Sequence, residues 1–181
     1  MSSITIRPVN AADVPELKDL HAALIPVPYP HSFFINQLIQ SNHLCLIAVD
    51  ESQAPKPVAF ITASVQYQNE KPHHIQLLTL GVRNEYQGQG LARQLVYKAI
   101  AQLTPSGVQL PVHTHVCTTN TPAQSFYERL GIKPKLFQSR PIIARNVYSF
   151  ASCGHRQPAN PDMRELFRSR DAYVMEGLVS A

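Results

Sequence analysis

Residues 77–96 read LLTLGVRNEYQGQGLARQLV, and the order of features within them decides the fold. An apolar run of Leu77, Leu78, Leu80 and Val82 has the composition of a buried strand. A short polar turn follows, then Gln87-Gly88-Gln89-Gly90-Leu91-Ala92. After it Leu91, Leu95, Val96 and Ile100 recur at helical spacing. Strand, glycine turn and helix start, in that order, aim unpaired backbone N–H groups at one point. The helix dipole favours negative charge at the same point. Gly88, Gly90 and Ala92 carry little or no side chain, so a phosphate can approach the main chain there. The turn therefore predicts either a pyrophosphate cradle or an ordinary helix-capping turn. It is not a P-loop, because no Gly-Lys-Ser/Thr follows, and it lacks the G-x-G-x-x-G of a dinucleotide fold.

The bulk properties narrow the class. The chain has 181 residues, enough for one domain with a full core. Its net charge is +4 with no Lys/Arg block, so no nucleic-acid footprint is expected. Three cysteines (Cys45, Cys117, Cys153) are odd in number and lack C-x-x-C spacing, which predicts a reduced, cytoplasmic protein. MSSITIRPVN has no basic region leading into a long apolar run, so no secretory leader is expected. No run reaches membrane-spanning length. The eight histidines lack metal-ligand spacing, and no metal site is predicted.

Along the chain, strands are expected over 4–8, 43–49, 57–66, 74–82, 110–117, 133–137 and 145–152. Helices are expected over 11–25, 31–41, 92–103 and 120–130, the last stopped by Gly131. Between the first two helices, Pro26, Pro28 and Pro30 stand at alternate positions and enforce an extended connection. Helices alternate with strands only in the second half, which predicts an α/β fold with a mixed sheet. Residues 153–181, with a short helix over 161–170, are expected to form a C-terminal surface extension beyond a domain of residues 1–152.

Four stretches, in order, resemble one known family. Ile25-Pro26-Val27-Pro28-Tyr29 with Phe33-Phe34 is similar to an F-P-V-x-Y-x-x-x-F-Y loop, and Leu78-Thr79-Leu80-Gly81-Val82 with Tyr86 to an M-T-L-G strand. His115-Val116 with Asn120 resembles H-V-x-x-x-N. Asn120-x-x-Ala123-x-x-Phe126-Tyr127-x-x-Leu130-Gly131 is the fourth stretch, and Gln87-x-x-Gly90-x-Ala92 matches the Q/R-x-x-G-x-G/A signature. Together they resemble the GCN5-related N-acetyltransferases (GNAT), and within them the NatE-type N-alpha-acetyltransferases. The resemblance implies a mixed sheet of about seven strands flanked by about four helices, its two central parallel strands splayed around acetyl-CoA.

The resemblance also implies roles. Leu80 and Val82 would hold pantetheine. Gln87, Gly88, Gln89, Gly90, Leu91, Ala92 and Arg93 would take the pyrophosphate. Asn120 would touch the cofactor, or simply cap its helix. Tyr127 would assist thiolate departure. Acetyl transfer needs a base for the attacking amine, and His115 suits it, with His113 on the same strand face as the alternative. Gln76 stands where the family has a tyrosine; an amide orients a water but takes no proton. Ile25, Pro26, Val27, Tyr29, Leu78 and His115 would form an apolar substrate slot for Met followed by a hydrophobic residue. Pro141 and Ile142 stand in place of two substrate-clamping tyrosines, with Tyr148 the next tyrosine along.

A free α-amine (pKa ~7.7–8.0) costs only about 1 kcal/mol to deprotonate at pH 7, against roughly 4–5 for a lysine. A weak base therefore favours peptide N-termini. The implied partners are peptide or protein N-termini, with NatA subunits near the ribosome. The alternatives are a non-catalytic GNAT-fold subunit, and an enzyme for lysine or a small amine.

Overall fold

The structure, a computed structural model, describes residues 4–52, 55–104, 108–148 and 165–179. Strand β1 (Ile4–Pro8) leads through an Asn10–Asp13 capping box into helix α1 (Val14–Leu24). The Asn10 side chain accepts from the N–H groups of Ala12 and Asp13, and Asp13 accepts from Asn10 N–H at 2.8 Å. Val14, Leu17, Leu20 and His21 make the buried stripe of α1 at helical spacing. Pro26, Pro28 and Pro30 keep the connection extended until α2 (His31–Ile39).

Strands β2 (His43–Asp50), β3 (Lys56–Gln68) and β4 (Lys71–Val82) then form an antiparallel meander. Alternate β3 residues serve opposite faces. Phe60 packs with Leu17, Leu20 and Phe34 under α1 and α2. Ala59 and Ile61 pack with Leu95, Val96 and Ala99 under α3 (Leu91–Leu103). Being covered on both sides is why β2 and β3 read as continuous apolar runs. Each fully buried Leu, Ile or Phe contributes about 1.5–3 kcal/mol.

Strand β5 (Val112–Cys117) lies parallel to β4, and α4 (Thr121–Arg129) follows it. Four two-residue strands come next: β6 (Lys133–Pro134), β7 (Leu136–Phe137), β8 (Arg140–Pro141) and β9 (Ile143–Ala144). The last strand, β10, is Ala172–Gly177. The main sheet has eight strands in the order β1-β2-β3-β4-β5-β10-β6, with β9 also on β10; β7 and β8 pair separately. Among the described residues, the mixed sheet and four α-helices agree with the expected architecture.

The end of the chain differs from expectation. Residues 145–148 form a turn, and 149–152 lie outside the described residues, so the strand expected over 145–152 is not the closing one. Of the helix expected over 161–170, residues 161–164 lie outside the described residues and only Glu165 and Leu166 are helical. Residues 172–177 are not a surface extension. They pair with β5 along its whole length, Ala172 opposite Cys117 and Gly177 opposite Val112. Their buried positions, Ala172 and Met175, are three apart. The strand therefore lacks the period-two alternation that reveals strands in sequence.

Candidate active site

β4 and β5 are paired at only two positions, Ile75–Val112 and Gln76–His113. Beyond these they diverge, and two cavities open where the ladder stops. The larger, about 530 Å³, is lined by Leu80, Gly81 and Val82 of β4, the turn from Tyr86 to Arg93, and α4. The smaller, about 80 Å³, is a slot lined by Ile25, Tyr29, Leu78, His115, Tyr148 and Phe167 among others. Leu80, Ala123 and Tyr127 line both, so the cavities meet at Tyr127.

The turn has the geometry of an anion cradle. Gly88 and Gly90 adopt φ of 75° and 78°, a region that favours glycine, and a Cβ built on either meets no atom within 4 Å. Gly90 is the N-cap of α3, and Gln94 N–H donates to its carbonyl at 3.1 Å. The N–H groups of Leu91, Ala92 and Arg93 precede that ladder and have no intrahelical partner. Gln87 does not reach outward. Its Nε2 donates to Val82 O at 3.0 Å and to Asn84 Oδ1 at 3.1 Å, pinning the turn to the strand end. The Gln89 side chain likewise ties to Glu85 O, and Gln89 does not line the cleft. Tyr86 donates to Asp50 at 2.7 Å and braces the turn from below. Arg93 lines the cleft while its guanidinium sits over Tyr97 at 5.2 Å.

Six residues of the cleft were not expected as cofactor contacts from the sequence: Gly81, Tyr86, Ala123, Phe126, Arg129 and Leu130. Ala123, Phe126, Tyr127 and Leu130 all face the cleft at i, i+3, i+4, i+7, a stripe whose spacing could have disclosed them. Asn120 caps α4, its Oδ1 accepting from Ala123 N–H at 3.2 Å, and lines the slot rather than the cleft.

The slot's walls come from distant elements. Thr79 opposes Thr62 and Leu77 opposes Ala63, so Leu78 is the extra residue of a bulge. A 2.6 Å hydrogen bond joins the Thr62 and Thr79 hydroxyls beside it. Ile25 and Tyr29 form the α1–α2 side; Pro26 and Val27 connect them without lining the slot. Pro141 and Ile142 are absent from the lining too, Ile142 instead donating its N–H to Lys135 O. Tyr148 and Phe167 take that side, their rings edge to face at 5.2 Å.

His115 lines the slot and is the one exposed residue of β5. Atoms packed around the ring partly desolvate it and lower its pKa, which favours the neutral imidazole. Tyr127 is buried, and desolvation pushes its phenol up to about 12 against a hydrogen bond from Thr114, so it keeps its proton at neutral pH. Gln76 lines neither cavity; its Nε2 donates to Leu77 O at 3.2 Å. His113, the alternative base, also stands outside the slot, 3.3 Å from Glu176. Cys117 lines the slot as a buried thiol engaged with Thr119 and Ser169 O. Among the described residues, no group of three or more His, Cys, Asp or Glu side chains is placed to hold a metal ion.

A splayed parallel pair ending in a glycine turn leaves a cleft that meets a second, narrow slot. The chain belongs to the Acetyltransferase (GNAT) family, whose description matches residues 14–132. It is 28% identical over 146 residues to the histone acetyltransferase MCC1 of Arabidopsis thaliana, an alignment covering 71% of this chain and 59% of that protein. The chain thus spans less than two thirds of that relative. Among solved structures it superposes on Arabidopsis thaliana NAA60 bound to a bisubstrate analogue, with a TM-score of 0.72 and 21% identity, covering 98% and 100% of the two chains. Arabidopsis thaliana Naa50 with the bisubstrate analogue CoA-Ac-MVNAL gives a TM-score of 0.70 and 20% identity, covering 96% and 97%. These structural likenesses establish the GNAT fold.

Proposed function

We propose that this chain is a protein N-alpha-acetyltransferase that moves acetyl from acetyl-CoA to the α-amine of peptide N-termini. The observation that carries the reading is the meeting of cleft and slot at Tyr127, with His115 on the slot wall and the glycine cradle at the far end of the cleft. Acetyl-CoA is the co-substrate. The N–H groups from Gly88 to Arg93 would hold its pyrophosphate, with Arg93 and Arg129 adding charge, and Leu80, Val82 and Tyr127 would line the path of its pantetheine.

The chemistry then follows from the side chains. A neutral amine in the slot attacks the thioester carbon; the C–N bond forms and the C–S bond breaks. His115, neutral at pH 7, takes the proton leaving nitrogen. Tyr127, which holds its proton, gives it to the departing thiolate and later recovers one from solvent. Gln76 has no part in this, since its side chain is spent on Leu77 O.

The apolar walls Ile25, Tyr29, Leu78 and Phe167 suit a first residue such as Met. The Met-starting analogue held by Naa50 supports the same choice. Work in the cytoplasm rests on the odd, unpaired cysteines, and work beside NatA subunits at the ribosome on the four-stretch resemblance alone. Among the described residues no helix is long and apolar enough to cross a membrane. The name of MCC1 supplies a second reading, a lysine side chain as acceptor.

CoA release decides between them. The panel comprises free Met-Leu, Met-Glu and Ser peptides, and an N-blocked peptide bearing lysine. Turnover on the free Met peptides that is lost in His115→Ala is expected. Turnover on the blocked lysine peptide alone supports the second reading, and acetyl-CoA binding without any turnover supports a non-catalytic subunit.

A further inference from the structure

A peptide whose first residue fills the slot must lead the rest of its chain out to solvent. His115 lines the slot and is the exposed residue of β5, so the exit lies beside it. Strand register says what the emerging chain meets. On the open face of the sheet, Val174 of β10 stands opposite His115, and Glu176 stands opposite His113.

At Val174 the neighbour of β10 changes. Lys133 and Pro134 of β6 pair with Glu176 and Met175, whereas Ile143 and Ala144 of β9 pair with Tyr173 and Ala172. Between them β7 and β8 form a hairpin of their own, closed by Gln138 and Ser139 at φ 48° and 64°, the left-handed pair a two-residue turn needs. Three backbone bonds fasten its root. Lys135 N–H donates to Val174 O at 2.8 Å, Val174 N–H to Ile142 O at 3.0 Å, and Ile142 N–H to Lys135 O at 2.8 Å. The root is thus two strand spacings from His115, about 10 Å. An extended peptide rising about 3.3 Å per residue covers that distance in about three residues.

The charge around this hairpin is one-sided. Residues 133–145 contain Lys133, Lys135, Arg140 and Arg145, and no Asp or Glu. Asp171 pairs with Arg145. Glu176 stands opposite Lys133 in register and lies 2.8 Å from Lys135, so one carboxylate is shared between two lysines. Arg140, exposed beside the turn, has no ion-pair partner among the described residues. The hairpin and its root therefore keep a net positive charge. Among the described residues no Lys, Arg, Asp or Glu lines the slot itself, so a charge preference must come from outside it.

We propose that this hairpin reads acidic side chains a few residues downstream of the acetylated amine, with Lys133 and Arg140 as the specificity-determining cations. The inference rests on the acetyl-transfer reading above and deepens it by naming the substrate class: N-termini whose first residues lead into an acidic segment. Charges at the rim of a binding site select partners more than they add affinity, which suits a slot that holds the first residue by apolar contact. A solvated basic face would account for the cations alone, but not for their place on a hairpin rooted next to the exit.

The test measures KM and kcat of the whole chain with saturating acetyl-CoA. The peptides begin Met-Leu and differ only in the next four residues, which are acidic, neutral or basic. At low salt the acidic peptide is expected to have a KM roughly fivefold below that of the basic one, with similar kcat. The gap should close as salt approaches about 1 M, where screening acts within about 3 Å. Lys133→Gln combined with Arg140→Gln is expected to remove most of the gap and leave KM for acetyl-CoA unchanged. Equal KM values at low salt overturn the proposal, as does a preference that salt leaves untouched or that survives in the double variant. If the double variant does not fold, Arg140→Gln alone, at an exposed position beside the turn, must narrow the gap or the proposal fails. Wild-type protein that acetylates no peptide removes the acetyl-transfer reading and this one together; wild-type turnover with no charge preference removes this one alone.

Discussion

Tyr148 donates its hydroxyl proton to the main-chain carbonyl of His115 at 3.0 Å. The bond ties the turn after β9 to the strand that carries His115, the proposed base, and it closes one side of the slot. Burial raises the Tyr148 pKa, so the hydroxyl stays a donor at any working pH. In Tyr148→Phe the aromatic wall survives and one hydrogen bond goes, a change of about 0.5–1.5 kcal/mol. We expect KM for a Met-initiated peptide to rise several-fold while KM for acetyl-CoA holds. Peptide titration of the variant checks this; an unchanged peptide KM would show that Tyr148 does not shape the slot.

Gly90 offers a test of the cradle. At φ 78°, alanine costs roughly 1–2 kcal/mol of backbone strain, and its Cβ would project into open space above the turn. That space is where a pyrophosphate must approach. Gly90→Ala is expected to weaken acetyl-CoA binding by roughly tenfold or more, beyond what strain alone takes from stability. Calorimetric Kd and Tm, measured on the same sample, separate the two effects. A lowered Tm with an unaltered Kd would reduce the glycine to a backbone role.

The glycine turn was legible in sequence because its demands are local: two glycines and a small residue stand between a strand and a helix. The Ala123, Phe126, Tyr127, Leu130 stripe was equally open, since helical spacing declares a face. The rest of the slot depends on pairings remote in sequence. Tyr148 and Phe167 reach it because β10 docks on β5, more than fifty residues upstream, and nothing periodic in Ala172–Gly177 announces that strand. Gln76 occupies the expected place in the chain. The register with His113 sets it at the last paired position of the two strands, short of the divergence that opens the slot.

One backbone contact of β10 leaves no room for a side chain. A Cβ on Gly177 would stand 2.1 Å from the Gly131 carbonyl oxygen and 2.8 Å from its carbon. Neither atom can move without the turn that ends α4. Gly177→Ala should therefore destabilise the protein by about 2–4 kcal/mol, the scale of strong overpacking. Gly131→Ala is a milder comparison: φ is 86°, and its Cβ would rest 3.4 Å from Leu178 O. It should cost about 1–2 kcal/mol. Urea denaturation of both variants checks the order; a Gly177→Ala protein as stable as wild type would mean that β10 can shift away from Gly131 without loss.

Acid should weaken the fold through His21. This residue is 2% exposed, stacked on Phe60 at 5.1 Å and edge-on to Tyr29 at 4.7 Å, in the cluster that backs the slot. Its Nε2 is buried with no hydrogen-bond partner among the described residues. Desolvation lowers its pKa from 6.5 to about 4. The unfolded chain thus binds this proton more readily than the folded one. Stability is full above the unfolded value of 6.5 and falls as pH drops toward about 4, by roughly 3 kcal/mol in all. His43, His74 and His113, whose pKa values burial also lowers, add to the loss with the same sign. His21→Phe keeps an aromatic ring in the cluster and removes the titrating, unpartnered nitrogen. Its stability at neutral pH should match or exceed that of wild type, and its decline toward pH 4 should be distinctly shallower. Urea denaturation midpoints followed from neutral pH down to about 4 give the comparison. Parallel curves for the two proteins would mean that the acid sensitivity lies elsewhere, in the histidines on the open face of the sheet.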